Sequence, residues 1–360
     1  MQLDVPFLPD SGYAEFLAER TGRLASVHFS LFDPALADAR PRMERHAPED
    51  LARALKPLDG VPKFVLLNTR LHRPEAYFSA EVLAAAAARL DYLADEAGIQ
   101  GLIFADPYYL QALSDAHPGV AEKLEAVISI NAMPDSPRRI FAMLDMIAGT
   151  AFRQPSRLVL DRSLNRDFNR LRDTVREIRK LYSGMRFLLM ANEGCLPACP
   201  YKPAHDAHLA MSVAGLCRDR TFAINHDLGC IRRFLDDPGL LLASPFIRPE
   251  DMGRYCDIVD GIKLCGRTRG ADFLGRAVDA YLEGHYPGNL LDLMDAMGDL
   301  ADRIDLPNAS IPLEFFEKTA QCSGACRACG WCASLADSLI CRKEPKLPHL
   351  SELSDKPSRR

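Results

Sequence analysis

The sequence is most informative first for what it lacks. No stretch approaches the roughly twenty apolar residues of a membrane-spanning helix. The most apolar helical segment, Val82 to Leu93, is interrupted by Arg89 and Asp91. The start, Met1 to Tyr13, has no basic region followed by an apolar run, so it does not read as a secretory leader. Membrane insertion is therefore not expected, and a cytoplasmic location is. Charge of one sign is also missing. The 44 Lys and Arg residues against 49 Asp and Glu leave a net charge of −5, which excludes nucleic-acid affinity from bulk charge alone. The G-x-G-x-x-G fingerprint of dinucleotide-binding sheets is absent, and no internal repeat is visible. No nucleophile–histidine–acid set stands out, which weighs against a hydrolase.

What the chain does have is cysteine, 11 residues in 360. In a reducing compartment, clustered thiols point to metal ligands or redox catalysts before disulfides.

Short apolar runs alternate with longer amphipathic stretches. Eight strands are expected, at Leu24–Leu31, Lys63–Asn68, Gly101–Asp106, Ala126–Asn131, Arg157–Asp161, Arg186–Ala191, Leu240–Ser244 and Ile258–Cys265. Continuous β-rich runs such as Lys63-Phe64-Val65-Leu66-Leu67 read as strands buried on both faces of a parallel sheet. Helical periodicity covers Glu81–Glu96, Pro134–Ile147 and Asn165–Leu181 between them, then Ala271–Leu282 and Leu290–Ile304 after the last strand. Eightfold strand–helix alternation predicts an α/β fold, a (β/α)8 TIM-like barrel with a C-terminal helical and cysteine-rich appendage. The expected divisions are a barrel over 1–286, helices and a cysteine knot over 287–341, and a flexible charged tail over 342–360.

The sharpest motif is Cys322-Ser-Gly-Ala-Cys326-Arg-Ala-Cys329-Gly-Trp-Cys332. Thiolates are soft ligands suited to iron–sulfur clusters and zinc, and Gly324 and Gly330 permit the tight turns such a knot needs. Overlapping hooks favour a [4Fe–4S] cluster, with zinc as the alternative, since zinc knots usually pair two separated C-x-x-C hooks. Cys322, Cys326 and Cys329 also match the C-x-x-x-C-x-x-C spacing of radical S-adenosylmethionine enzymes. Those carry it after the first barrel strand, and here it follows the last. The Leu313–Thr319 helix, with Phe315, Phe316 and Trp331 as apolar anchors, is expected to dock the knot over the barrel's catalytic mouth.

A second constellation, Asn192-Glu193-Gly194-Cys195-Leu196-Pro197-Ala198-Cys199-Pro200, directly follows an expected strand, on what would be the catalytic face. Cys230 and Cys265 fall near other element ends and could complete a second cluster with Cys195 and Cys199. Cys217 and Cys256 read as core. Asp106, Asn131 and Asp161 end strands and, with Glu193 and His205, are candidate catalytic residues. Lys263 and Arg267 are candidate cofactor-binding groups, since a guanidinium can clasp a carboxylate or phosphate.

Three stretches carry a family resemblance. Ser156-Arg-Leu-Val-Leu-Asp-Arg-Ser-Leu-Asn165, Asn192 through Pro200, and Asp260-Gly-Ile-Lys263-Leu-Cys265-Gly266-Arg267 resemble the strand-and-turn, the cysteine loop and the K-I-E-G-R strand end of the collagenase-like peptidase family U-32. The likeness runs from about Ser156 to Tyr286. It implies a barrel, a [4Fe–4S] cluster on cysteines, and oxygen-independent hydroxylation of aromatic quinone precursors or RNA bases. The glutamate of K-I-E-G-R is replaced by Cys265, and the terminal knot is additional to the family pattern. The reading is an iron–sulfur redox enzyme or hydroxylase acting on a small molecule or RNA base, served by an electron donor or protein partner. Its rivals are a peptidase with structural metal and a non-catalytic, cluster-carrying partner subunit.

Overall fold

The computed structural model describes residues 1–33, 38–40 and 44–343. Its centre is an eight-stranded parallel sheet. The strands are β1 (Gln2–Pro6), β2 (Leu24–Ser30), β3 (Lys63–Leu67), β4 (Ile99–Phe104), β5 (Glu125–Ile128), β6 (Arg157–Leu160), β7 (Arg186–Met190) and β8 (Gly261–Lys263). The order β5-β4-β3-β2-β1-β8-β7-β6 wraps the first strand against the last, with Leu3 opposite both Leu24 and Ile262. Between β5 and β6 the ladder is reduced to an isolated bridge, Glu125 to Arg153, so the barrel is nearly closed. The class is α/β and TIM-like, as expected.

Two of the expected elements differ. Leu240–Ser244 is not a strand: Gly239–Ala243 form a short helix. An apolar run of five residues fits either state until its neighbours decide, and here Pro238 starts a helical turn. The missing strand is β1, a five-residue segment in which Asp4 breaks the continuous apolar run that marks the other strands. The helix expected over Leu290–Ile304 is replaced by 3-10 turns at Leu290–Leu293 and Gly298–Leu300 and a two-residue strand, Ile304–Asp305. Asn289, by bonding the Leu291 and Leu306 amides, draws that segment into a loop. Cys256, expected in the core, is exposed.

Strand alternation sorts side chains to two sides. Leu3, Val5, Val27, Val65 and Leu102 join the large core between sheet and helices. The other set points into the barrel. One part of that interior is apolar, with Phe64, Leu66, Ile103 and Val127 in one cluster and Ile130, Val159, Leu188 and Met190 in another. The remainder is polar and buried: Asp4, Ser26, His28, Arg157 and Lys263.

The C-terminal segment packs on the barrel. Phe315 is fully buried between Phe246 and Trp331, and Cys341–Arg342 pair antiparallel with Ile304–Asp305. The expected tail beyond Lys343 lies outside the described residues. No helix among the described residues is long and apolar enough to cross a membrane.

Candidate functional site

A cavity of about 380 Å³ opens at the C-terminal ends of the strands, where barrel folds carry their chemistry. Its floor is the upper layer of the barrel interior: Leu66, Ile103, Val159 and Met190 on one side, His28 and Lys263 on the other. Its rim comes chiefly from the loop after β7, the excursion that follows it, and the turn after β8.

The floor holds a compact charge network. Lys263 Nζ donates to Asp4 Oδ2 at 2.6 Å and reaches His28 Nδ1 at 2.8 Å. Ser26 donates to Asp4 Oδ1 at 2.8 Å. Burial alone would raise the Asp4 carboxyl, but Lys263, His28 and Arg157 around it hold it well below the usual carboxylate range. Burial and the neighbouring ammonium push His28 down to about 4. His28 Nδ1 also lies 3.0 Å from Asp4 Oδ1, so the imidazole presents one nitrogen to both an ammonium and a carboxylate.

The rim gathers four cysteines from three separate segments. Cys195 and Cys199 lie on the loop after β7, Cys230 begins the helix Cys230–Asp236, and Cys265 follows β8. The loop between the first two is sharply shaped: Gly194 has φ 75° and Ala198 φ 44°, a region that non-glycine residues rarely occupy. Asn192 fixes Cys265. Its Oδ1 accepts the Cys265 amide at 2.8 Å, while its Nδ2 donates to the carbonyls of Cys265 and Leu293 at 3.0 Å each. Gly266, at φ 116°, admits the turn that follows, where a Cβ would stand 2.1 Å from the Phe273 ring. Burial pushes the thiols of Cys195, Cys230 and Cys265 up, with nearby Glu193 adding to this at Cys195 and, after Asp295, at Cys265.

Cations stand beside these thiols. Arg162 Nη1 lies 3.9 Å from Cys195 Sγ, with its Nε 2.5 Å from Glu193. Arg40 pairs with Asp295 at 3.1 Å, and Arg267 with Asp38 at 2.8 Å. Asn131, Glu193, His205, Lys263 and Arg267 all line this cavity with the four cysteines. Two expected residues do not. Asp106 caps the helix Pro107–Ala116 and binds His72 at 2.9 Å and Tyr77 at 2.7 Å. Asp161 caps the 3-10 turn Arg162–Arg166. Both are consumed by local structure, because a carboxylate ending a strand is also a good N-cap. His28, Arg40, Arg162 and Asp295 were missed. His28 lay inside a strand and Asp295 in a segment read as helical, while Arg162 was in view within the resembling stretch.

Cys322, Cys326, Cys329 and Cys332 do not line the cavity. The first three are exposed and Cys332 is half-buried. As a test of metal fit, the donor chemistry of both cysteine sets suits a soft metal centre. Among the described residues, however, no three His, Cys, Asp or Glu side chains converge as a ready-made site for an ion.

No family model matches the chain. It is similar to an uncharacterized protease, MJ1657, of Methanocaldococcus jannaschii, with 28% identity over 246 residues covering 68% of this chain and 67% of that protein. Among solved structures it is similar to the U32 peptidase Mk0906, at a TM-score of 0.49 and 15% identity over 73% of this chain and 92% of that one. It also aligns with a D-allulose 3-epimerase from Methylomonas sp., at a TM-score of 0.33 and 8% identity over 73% and 83% of the two chains. Neither structural score bears on what the chain does.

Proposed function

We propose that this chain, a distant relative of the U32 peptidases, is a redox enzyme that holds an iron–sulfur centre in its barrel-mouth cavity and modifies a small molecule or RNA base beside it. One observation carries the reading: Cys195, Cys199, Cys230 and Cys265, far apart in sequence, line a single cavity. Cys199, Cys230 and Cys265 also pack against apolar neighbours, but four thiols from three segments meeting at a barrel's functional face favour chemistry over packing alone.

Cys195, Cys199, Cys230 and Cys265 would hold the centre, which would supply one-electron transfer to a neighbouring substrate. The chain's own groups prepare the place. Asn192 holds the Cys265 backbone from both sides, and Arg162 and Arg40 offer positive charge to thiolates that burial otherwise keeps protonated. Loading thus releases protons and is favoured at higher pH. Leu66, Ile103, Val159 and Met190 give a ring an apolar wall, while Lys263 and His28 can meet a polar atom at the floor.

The test is iron and sulfide content after anaerobic purification. The parent should carry both, and C195S/C265S should lose a cluster's worth. Equal content in the two proteins would refute the cavity reading. A second reading, a cluster-carrying partner subunit, is favoured by exposed Leu216, Phe222 and Leu228 on the excursion beside the cavity. Turnover by the isolated chain separates the two.

A further inference from the structure

The terminal knot is not explained by the cavity. It docks through Arg166, which lies in the 3-10 turn after β6. The guanidinium lies over the rings of Phe246 and Phe315, 4.9 and 5.0 Å from their centres. It donates to Thr319 Oγ1 and, at 3.2 Å, to the Ser244 carbonyl. Its Nε has no partner. Among the described residues no carboxylate forms an ion pair with it. Asp251, within electrostatic reach, has both oxygens bound by Arg248 at 2.8 and 3.0 Å. A cation packed between aromatic rings without a counter-charge is costly. Cys332 follows Trp331 in the helix Trp331–Leu339, and Trp331 packs on the Phe315 ring that the guanidinium covers, which brings the knot within electrostatic reach of Arg166 together with Tyr255 and Asp251.

The four knot sulfurs do not already converge among the described residues, but the backbone that carries them has features that support thiolates. Cys326–Cys329 form one helical turn, closed by Gly330 at φ 64°, whose amide bonds the Cys326 carbonyl at 2.9 Å. The Gly324 amide points at Cys322 Sγ at 3.4 Å, and N–H groups aimed at sulfur tune and stabilise metal-bound thiolates. Trp331 packs 5.9 Å from Phe315. Ala333 lies so close to Gly239 that any Cβ there would stand 2.8 Å from its Cα. The site is therefore held at a fixed place against the barrel. Ser244, whose carbonyl takes Arg166, donates its hydroxyl to the Cys195 carbonyl at 2.6 Å, so the knot sits behind the cavity's cysteine loop.

We propose that Cys322, Cys326, Cys329 and Cys332 hold a second metal–thiolate centre, separate from the cavity, with Arg166 as its buried counter-charge. Four thiolates around a zinc ion or a [4Fe–4S] core carry net negative charge, which is what Arg166 lacks. The overlapping hooks favour the cluster over the ion. The inference stands apart from the cavity reading, because different cysteines carry each.

The experiment begins with wild-type protein purified anaerobically and dialysed against metal-free buffer. Brief alkylation followed by mass mapping should find Cys326 and Cys329 protected although exposed, while exposed Cys256 reacts; chelation or oxidative cluster loss should unmask them. Iron, zinc and sulfide are then counted. C326S/C329S should lose a cluster's worth of iron and sulfide, or one zinc, that C195S/C265S keeps. In chelator-stripped protein rebuilt with iron and sulfide or with zinc, Arg166→Met should weaken uptake at the knot roughly ten- to a hundredfold, the range for residues supporting metal ligands. Arg166→Lys should recover part of it. Alkylation of Cys326 and Cys329 as fast as Cys256 in the untreated protein, or unchanged metal content in C326S/C329S, would overturn the proposal.

Discussion

Replacing His28 with Gln should flatten the acid side of the stability curve. His28 is 3% exposed, faced by Asp4 on β1 and Lys263 on β8 with Arg267 within electrostatic reach, while Ser26 and Arg157 act on Asp4. Burial and Lys263 bring its folded-state value from 6.5 to about 4. Above the unfolded value both states are neutral and the group has no effect. As pH falls below it the unfolded chain takes a proton that the folded chain refuses, so stability declines until about 4 and then levels off. The gap corresponds to roughly 3 kcal/mol, at about 1.36 kcal/mol per pKa unit. Asp4, held low, stabilises the fold throughout this range, and its contribution is lost only in more acid solution. The assay is urea unfolding from about pH 7.5 to about pH 4.5, where this linkage acts. The parent should lose about 2.5 kcal/mol more than His28→Gln across that window, most of the full gap. Parallel curves for the two proteins would show that His28 is not held neutral, and the reading of a neutral imidazole on the cavity floor would fall with it.

Other expectations follow from single contacts. Asn192→Leu leaves the Cys265 amide and two carbonyls without partners, so it should cost about 2–4 kcal/mol and lower iron retention; calorimetry and iron counts check both. Phe315→Ala removes a fully buried ring between Phe246 and Trp331 and should cost about 3–5 kcal/mol, with early proteolytic release of the knot segment. Gly266→Ala must move the Phe273 ring and strain a positive φ, and should disturb Cys265 alkylation kinetics more than global stability. Casein and gelatin should remain intact with pure protein; cleavage abolished by one substitution at the cavity would restore the peptidase reading.

The barrel was legible because buried parallel strands announce themselves as β-rich runs, as at Lys63–Leu67 and Arg186–Met190. It was misnumbered where that signal fails. Asp4 breaks the apolar pattern of β1 because it belongs to the barrel's charged floor, and Leu240–Ser244 reads as a strand by composition alone. The cysteine loop was visible from its spacing and its place after a strand. The residues that complete the cavity were less so. Nothing local marks His28 or Asp295 as sharing a cavity with Cys265: they arrive from β2 and from the loop drawn in by Asn289, through the ring closure that joins β1 to β8. Asp106 and Asp161 show the reverse error, since the position that aims a side chain at a barrel mouth also starts the next helix.

The cavity reading is tested most directly by a crystal structure of anaerobically purified protein with diffraction data on both sides of the iron absorption edge. The account predicts an iron peak enclosed by Cys195, Cys199, Cys230 and Cys265. A cavity without iron, its four thiols free or joined to one another, would contradict it.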